Sequence, residues 1–121
     1  METCFILSIW IFNLLGAAFG NSVQSNEPEV SGSAGGSVTL SCSYTTSDSS
    51  AYLHWYRQYP NQAPQYILWR GAKSASGQSN TADFAQKRFS SQADDSSTAL
   101  NITALEVADG AEYLCALGLA Q

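Results

Sequence analysis

Residues 100–115 read LNITALEVADGAEYLC, and this stretch decides the fold. Leu100 and Ile102 alternate with polar neighbours as in an extended strand, which sends both to one face and Asn101 to the other. Leu105 follows, then Asp109, and after it Ala111, Tyr113 and Cys115 at two-residue steps. Far upstream, Ser37-Val38-Thr39-Leu40-Ser41-Cys42 alternates as strictly and turns Val38, Leu40 and Cys42 inward. Thirteen residues after Cys42 stands Trp55, in the run Tyr52-Leu53-His54-Trp55-Tyr56-Arg57-Gln58, with Leu53 and Trp55 inward.

The rest of the chain reads the same way. Gln65-Tyr66-Ile67-Leu68-Trp69-Arg70 predicts a strand ended by Gly71, after a turn with a proline at each end, Pro60 and Pro64. Arg88-Phe89-Ser90-Ser91-Gln92 and Thr98-Ala99-Leu100-Asn101-Ile102-Thr103 alternate around the acidic turn Asp94-Asp95-Ser96. A Gly- and Ser-rich turn is expected over residues 31–36. Short strands, frequent turn signals and no sustained helical period make the chain all-β, an antiparallel two-sheet sandwich.

Composition narrows the function. The chain has 121 residues, one domain's length, with 45% apolar and 12% charged residues and a net charge of −5. Five scattered bases (Arg57, Arg70, Lys73, Lys87, Arg88) form no phosphate-tracking stripe, which excludes nucleic acid as a partner. The single histidine, His54, has no acid to orient it and no nucleophile beside it, so no enzyme, cofactor or metal site is expected.

Residues 5–19, FILSIWIFNLLGAAF, are too short for a spanning helix and suit the apolar core of a secretory signal. Ala18-Phe19-Gly20 supplies small residues for a cut after Gly20, giving a signal peptide over 1–20 and a domain over 21–121. The acidic Glu2 and the lack of Lys or Arg before the run leave cleavage after Ala18, or retention as a short anchor, as alternatives. Cys4 goes with the signal, and the even pair Cys42 and Cys115 then reads as a structural disulfide in an oxidising compartment.

Taken together, Cys42, Trp55 and Asp109-x-Ala-x-Tyr113-x-Cys115 resemble an immunoglobulin variable domain. Trp55-Tyr56-Arg57-Gln58, Ala63-Pro64-Gln65-Tyr66-Ile67-Leu68 and the ending Cys115-Ala116-Leu117 are similar to the variable segment of a T-cell receptor alpha or delta chain. The resemblance implies a Greek-key sandwich in which the cysteines bridge the sheets, the Trp55 indole covers the bridge and Tyr113 turns its hydroxyl onto the preceding corner. Leu100, Ile102 and Leu105 would fill the core, and Arg88 and Asp109 would pair to close one end. Only six residues follow Cys115, too few for the last strand of a variable domain, so the sequence resembles a germline form lacking the joining strand. The edge along residues 112–117 is then expected to be unpaired.

The same resemblance places three antigen-contacting loops at one end. The first spans residues 45–51, with Thr45, Thr46, Ser47, Asp48, Ser49 and Ser50. The second spans 71–78, with Gly71, Ala72, Lys73 and Ser74, and the third begins at Ala116 with Leu117 and Gly118. Strand alternation sends His54, Tyr56 and Gln58 to the face opposite Trp55, where Tyr66 and Leu114 join them and Pro64 lies at the lower edge. The resemblance assigns this patch to pairing with a beta (or gamma) variable domain, the loops to peptide held by a major histocompatibility molecule, and signalling subunits to the full-length chain. His54 is expected as a structural hydrogen-bonding residue beneath the third loop. Localisation would be the secretory pathway and the extracellular face of the plasma membrane. Asn101-Ile102-Thr103 is a glycosylation sequon whose Asn points outward. The competing class is a non-rearranging innate or adhesive immunoglobulin-type receptor.

Overall fold

The computed structural model describes residues 4–12, 22–26 and 29–118, the first of these through the backbone. Ten strands form two sheets: β1 Cys4–Phe12, β2 Ser22–Ser25, β3 Glu29–Ser33, β4 Val38–Thr45, β5 Ser50–Gln58, β6 Gln65–Lys73, β7 Ser79–Thr81, β8 Phe89–Ala93, β9 Ser97–Ile102 and β10 Glu112–Gly118. The four-stranded sheet runs β2-β4-β9-β8 and the six-stranded sheet β3-β1-β10-β5-β6-β7. Two short 3-10 turns, Asp83–Ala85 and Val107–Asp109, are the only helical pieces among the described residues. The chain is an all-β sandwich, as its alternation predicts.

Alternation explains the core. On β4, Val38, Leu40, Cys42 and Tyr44 are buried while Thr39, Ser43 and Thr45 are exposed. Leu53, Trp55, Leu100, Ile102, Tyr113 and Cys115 are all fully buried. Cys42 on β4 and Cys115 on β10 are joined by a disulfide, with Cα atoms 6.7 Å apart, so the bridge ties one sheet to the other. Trp55 lies directly across the ladder from Cys115, and its indole Nε1 donates to Thr98 Oγ1 of the opposite sheet at 3.3 Å.

Three sequence expectations change, and one irregularity is added. The β10 edge is not open, because β1 runs parallel along it from Ser8↔Glu112 to Phe12↔Ala116 and pairs antiparallel with β3 on its other side. An edge of free N–H and C=O groups is a template for any extended segment, and residues 4–12 fill it. The sandwich is therefore not missing a strand beside β10. Residues 31–33 belong to β3 rather than to a turn, which is confined to 34–36; Gly32 packs so closely that a Cβ would lie 2.6 Å from Leu105 Cδ1. Gly71 does not end β6. The strand continues to Lys73: Gly71 N donates to Gln78 O at 2.8 Å, and its missing side chain leaves room for the Ala75 carbonyl folded over it, where a Cβ would stand 2.2 Å from that oxygen. Finally, β6 carries a bulge: Trp55 pairs with Leu68 but Tyr56 with Tyr66. The expected cut after Gly20 lies outside the described residues.

Candidate binding surface

Strand directions put three connections at one end of the sandwich. β4 climbs to its end at Thr45 and β5 descends from Ser50; β6 and β10, both antiparallel to β5, climb to Lys73 and Gly118. The loops proper are shorter than the sequence suggests. Thr45, Ser50, Gly71, Ala72, Lys73, Leu117 and Gly118 are all strand residues, leaving 46–49 and 74–78 as the first two loops. Ser50, Ala72 and Leu117 are buried, so the strands reach further because these side chains pack inward. Residues 119–121 of the third loop lie outside the described residues.

The first two loops are tied together by Lys73. Its Nζ donates to the carbonyls of Thr46 at 3.1 Å and Asp48 at 3.3 Å, while Ser74 N donates to Ser49 O at 3.0 Å. Lys73 has a φ of 58°, a left-handed conformation that a side chain adopts at a cost. Lys73, expected among the antigen contacts, turns its ammonium to the neighbouring loop. Composition could not have shown this, because the bond depends on where the β6 hairpin turns.

The outer face of the six-stranded sheet carries an aromatic row. Leu114, Tyr56 and Tyr66 sit side by side in register across β10, β5 and β6, each half-buried, and Pro64 is exposed just before β6. The Tyr56 and Tyr66 rings meet edge-on with centroids 6.0 Å apart. His54 stacks toward Tyr56 at 6.4 Å and lies 6.3 Å from Trp69, which meets Tyr52 edge-on at 5.5 Å. Tyr52 and Trp69 extend the patch beyond the residues read from sequence. Tyr52 follows from simple alternation along β5. Trp69 does not: alternation from Tyr66 would turn Leu68 outward, and the bulge buries Leu68 instead and delivers Trp69 to this face.

Two polar members of this face have partners within the chain. Gln58 Nε2 donates to Gln62 O at 2.8 Å, and Tyr66 Oη donates to Asn80 Oδ1 at 2.7 Å. His54 lies beneath the start of the third loop, where a Cβ on Gly118 would come within 2.9 Å of its Cε1. Its Nδ1 is buried with no hydrogen-bond partner among the described residues. Burial lowers its pKa below 6.5, partly offset by the Tyr52 backbone, so the ring is neutral at neutral pH.

At the far end, Asp109 organises a closed corner. Its carboxylate receives Arg88 Nη1 at 2.8 Å and Nη2 at 3.0 Å, with Glu106 N at 2.9 Å, and it is 1% exposed. Arg57 adds a second cation at 3.8 Å, held also by Gln65 Oε1 at 2.8 Å and lying over the Phe84 ring. Burial alone would raise the Asp109 pKa; the Arg88 and Glu106 hydrogen bonds and the two guanidinium charges outweigh it and hold the carboxyl below its ordinary 3.8. Tyr113 Oη donates to Asp109 O at 2.6 Å, fixing the corner to the strand that carries Cys115. Burial pushes this phenol well above its usual range, so it stays protonated as a donor.

A two-sheet β-sandwich with a bridge between the sheets, a buried indole opposite it and a tyrosine anchoring the corner defines a variable-type immunoglobulin domain. The immunoglobulin V-set domain model matches residues 24–121, and the chain belongs to that family. V-set domains are typical of antigen receptors and other immunoglobulin-type receptors, and are in general binding modules rather than enzymes.

Proposed function

We propose that the chain is the antigen-recognition variable segment of a T-cell receptor alpha or delta chain. In this reading it pairs through the aromatic flank with a beta or gamma variable domain and reads peptide presented by a major histocompatibility molecule with the three loops. Residues 1–20 would serve as the signal peptide, and the complete receptor would stand at the extracellular face of the plasma membrane, reaching its signalling subunits through the full-length chain. The observation that carries the reading is the register of Leu114, Tyr56 and Tyr66, which lays a flat apolar and aromatic strip across three adjacent strands. Such a strip is the composition of an interface core rather than of a solvated face. Co-expression with a T-cell receptor beta variable domain, read by light scattering, tests it. A heterodimer that is lost in a Tyr56→Ser/Leu114→Ser variant supports the reading; no heterodimer, or one indifferent to the variant, ends it.

One observation favours the second reading, an innate or adhesive immunoglobulin-type receptor. With residues 1–20 retained rather than cut away, β1 occupies the β10 edge and the six-stranded sheet needs no added strand there. The genomic sequence discriminates: a recombination signal after the codon for Gln121 supports the antigen receptor, and a stalk-and-anchor exon supports the alternative.

A further inference from the structure

The outer face of the four-stranded sheet has an unusual chemistry for a solvated surface. At its outward positions β4 presents Thr39 and Ser43, β8 presents Ser90 and Gln92, and β9 presents Ala99 and Asn101. No Asp, Glu, Lys or Arg stands at an outward position of these three strands. Charge is the ordinary means by which a sheet face and its edges resist stacking on another copy. Something else must do that work here.

Asn101 supplies the means. The register places it between Thr39 and Ser90, both short and exposed, so space opens above it. Its neighbour Ile102 is fully buried, which fixes Asn101 outward, and Thr103 at the third sequon position is exposed. Asn101 Oδ1 accepts from Thr39 Oγ1 at 2.6 Å, and no described residue accepts from its Nδ2. An amide substituted on nitrogen therefore keeps the bond that orients it. Asn101 also stands near the C-terminal end of β9, which is antiparallel to β4 and so lies at the end of the sandwich away from the first loop.

We infer that Asn101 carries an N-linked glycan that covers the outer face of the four-stranded sheet and leaves the aromatic flank and the loops free for a protein partner. In the transfer, Asn101 Nδ2 bonds to the anomeric carbon of a lipid-pyrophosphate-linked oligosaccharide supplied by the secretory machinery. The sugar–oxygen bond to pyrophosphate breaks, the lipid pyrophosphate leaves, and Nδ2 gives up one proton. The inference rests on the proposed function only in needing entry into the secretory lumen.

Cell-free translation of the full chain with microsomes tests it, read by protease protection and by gel mobility before and after treatment with an N-glycan amidase. The wild-type chain is expected to be protected and to show a single glycan-sized shift that the amidase removes. Asn101→Gln and Thr103→Ala lose the shift and Thr103→Ser keeps it; none of these readouts depends on folding. A protected chain with no shift, or a shift that survives Asn101→Gln, overturns the glycan while leaving the secretory reading intact. An unprotected chain overturns both. The shielding role is read on material recovered from the lumen: the Asn101→Gln chain, which lacks the glycan and keeps a neutral side chain, should self-associate in sedimentation at concentrations where the glycosylated wild type is monomeric, and identical sedimentation overturns that role.

Discussion

The two outer faces of this sandwich are built on the same alternation and could hardly differ more. One displays Tyr52, His54, Tyr56, Tyr66, Trp69 and Leu114 across β10, β5 and β6; the other displays short hydroxyl and amide side chains across β4, β9 and β8. Burial requirements are equal on the two inner faces, which share one core. The contrast is therefore not forced by folding. A face that folding leaves unconstrained takes its composition from what it meets, and here one suits a protein surface and the other suits solvent or sugar.

The comparison collapses if the sheets are not held back to back, which makes the bridge the largest expected effect. Replacing Cys42 and Cys115 by Ala releases a closed loop of 73-residue separation and should cost about 4–5 kcal/mol in the chain-entropy account. The expected result is loss of the cooperative thermal transition at 37 °C; a melt within a few degrees of wild type contradicts the account. Next comes the corner that closes the end away from the loops. Asp109→Asn leaves Arg88 and Arg57 facing a neutral amide and should cost about 3 kcal/mol, read by urea denaturation. The sign of the pH dependence follows from the direction of the shift. Asp109 titrates lower folded than unfolded, so its contribution is complete above 3.8 and is lost as pH falls through the lower folded value. Acid titration should therefore narrow the stability gap between wild type and Asp109→Asn as pH falls from 3.8 toward the folded value, and a gap that is constant with pH argues against the ion pair.

Changing the faces themselves separates binding from folding. Tyr56→Ser removes the central ring of the aromatic row and should weaken the proposed pairing with a variable domain by about 2 kcal/mol, roughly 30-fold. Thr39→Ala on the other face should leave that affinity within about twofold, since it loses only an exposed hydrogen bond to Asn101. Surface plasmon resonance on both variants is the measurement. Equal losses from the two faces would show that the flank is not the binding surface.

How far the sequence reaches can be judged on particular residues. The sandwich, its disulfide partners and the inward set Leu53, Trp55, Leu100 and Ile102 are legible because period-two alternation is a local property. What depends on pairing is not. Trp69 is misassigned by alternation because a bulge on β6 shifts the register by one, and one residue is enough to exchange faces. Residues 4–12, which overlap the run 5–19 read as the apolar core of a leader, form a strand, and only the open β10 edge decides where such a strand goes. Loop limits run too long because Ser and Gly read as turns even where their neighbours, such as Ala51 and Ala72, are buried and carry the strand onward.

Lys73 is the smallest effect and the one that most sharpens the loop end. A side chain at φ 58° is strained by roughly 1–2 kcal/mol relative to the right-handed region, a penalty glycine escapes. Relief of that strain and loss of the bonds to Thr46 and Asp48 oppose each other, and two substitutions separate them. Lys73→Met keeps the strain and discards the ammonium, so it should lower stability by about 1 kcal/mol and speed amide exchange over residues 46–49. Lys73→Gly discards both, so global stability should stay near wild type while the same amides still exchange faster. If both variants leave exchange in the first loop unchanged, the two loops move independently. If both accelerate it while only Met destabilises, the first two loops act as one preorganised unit.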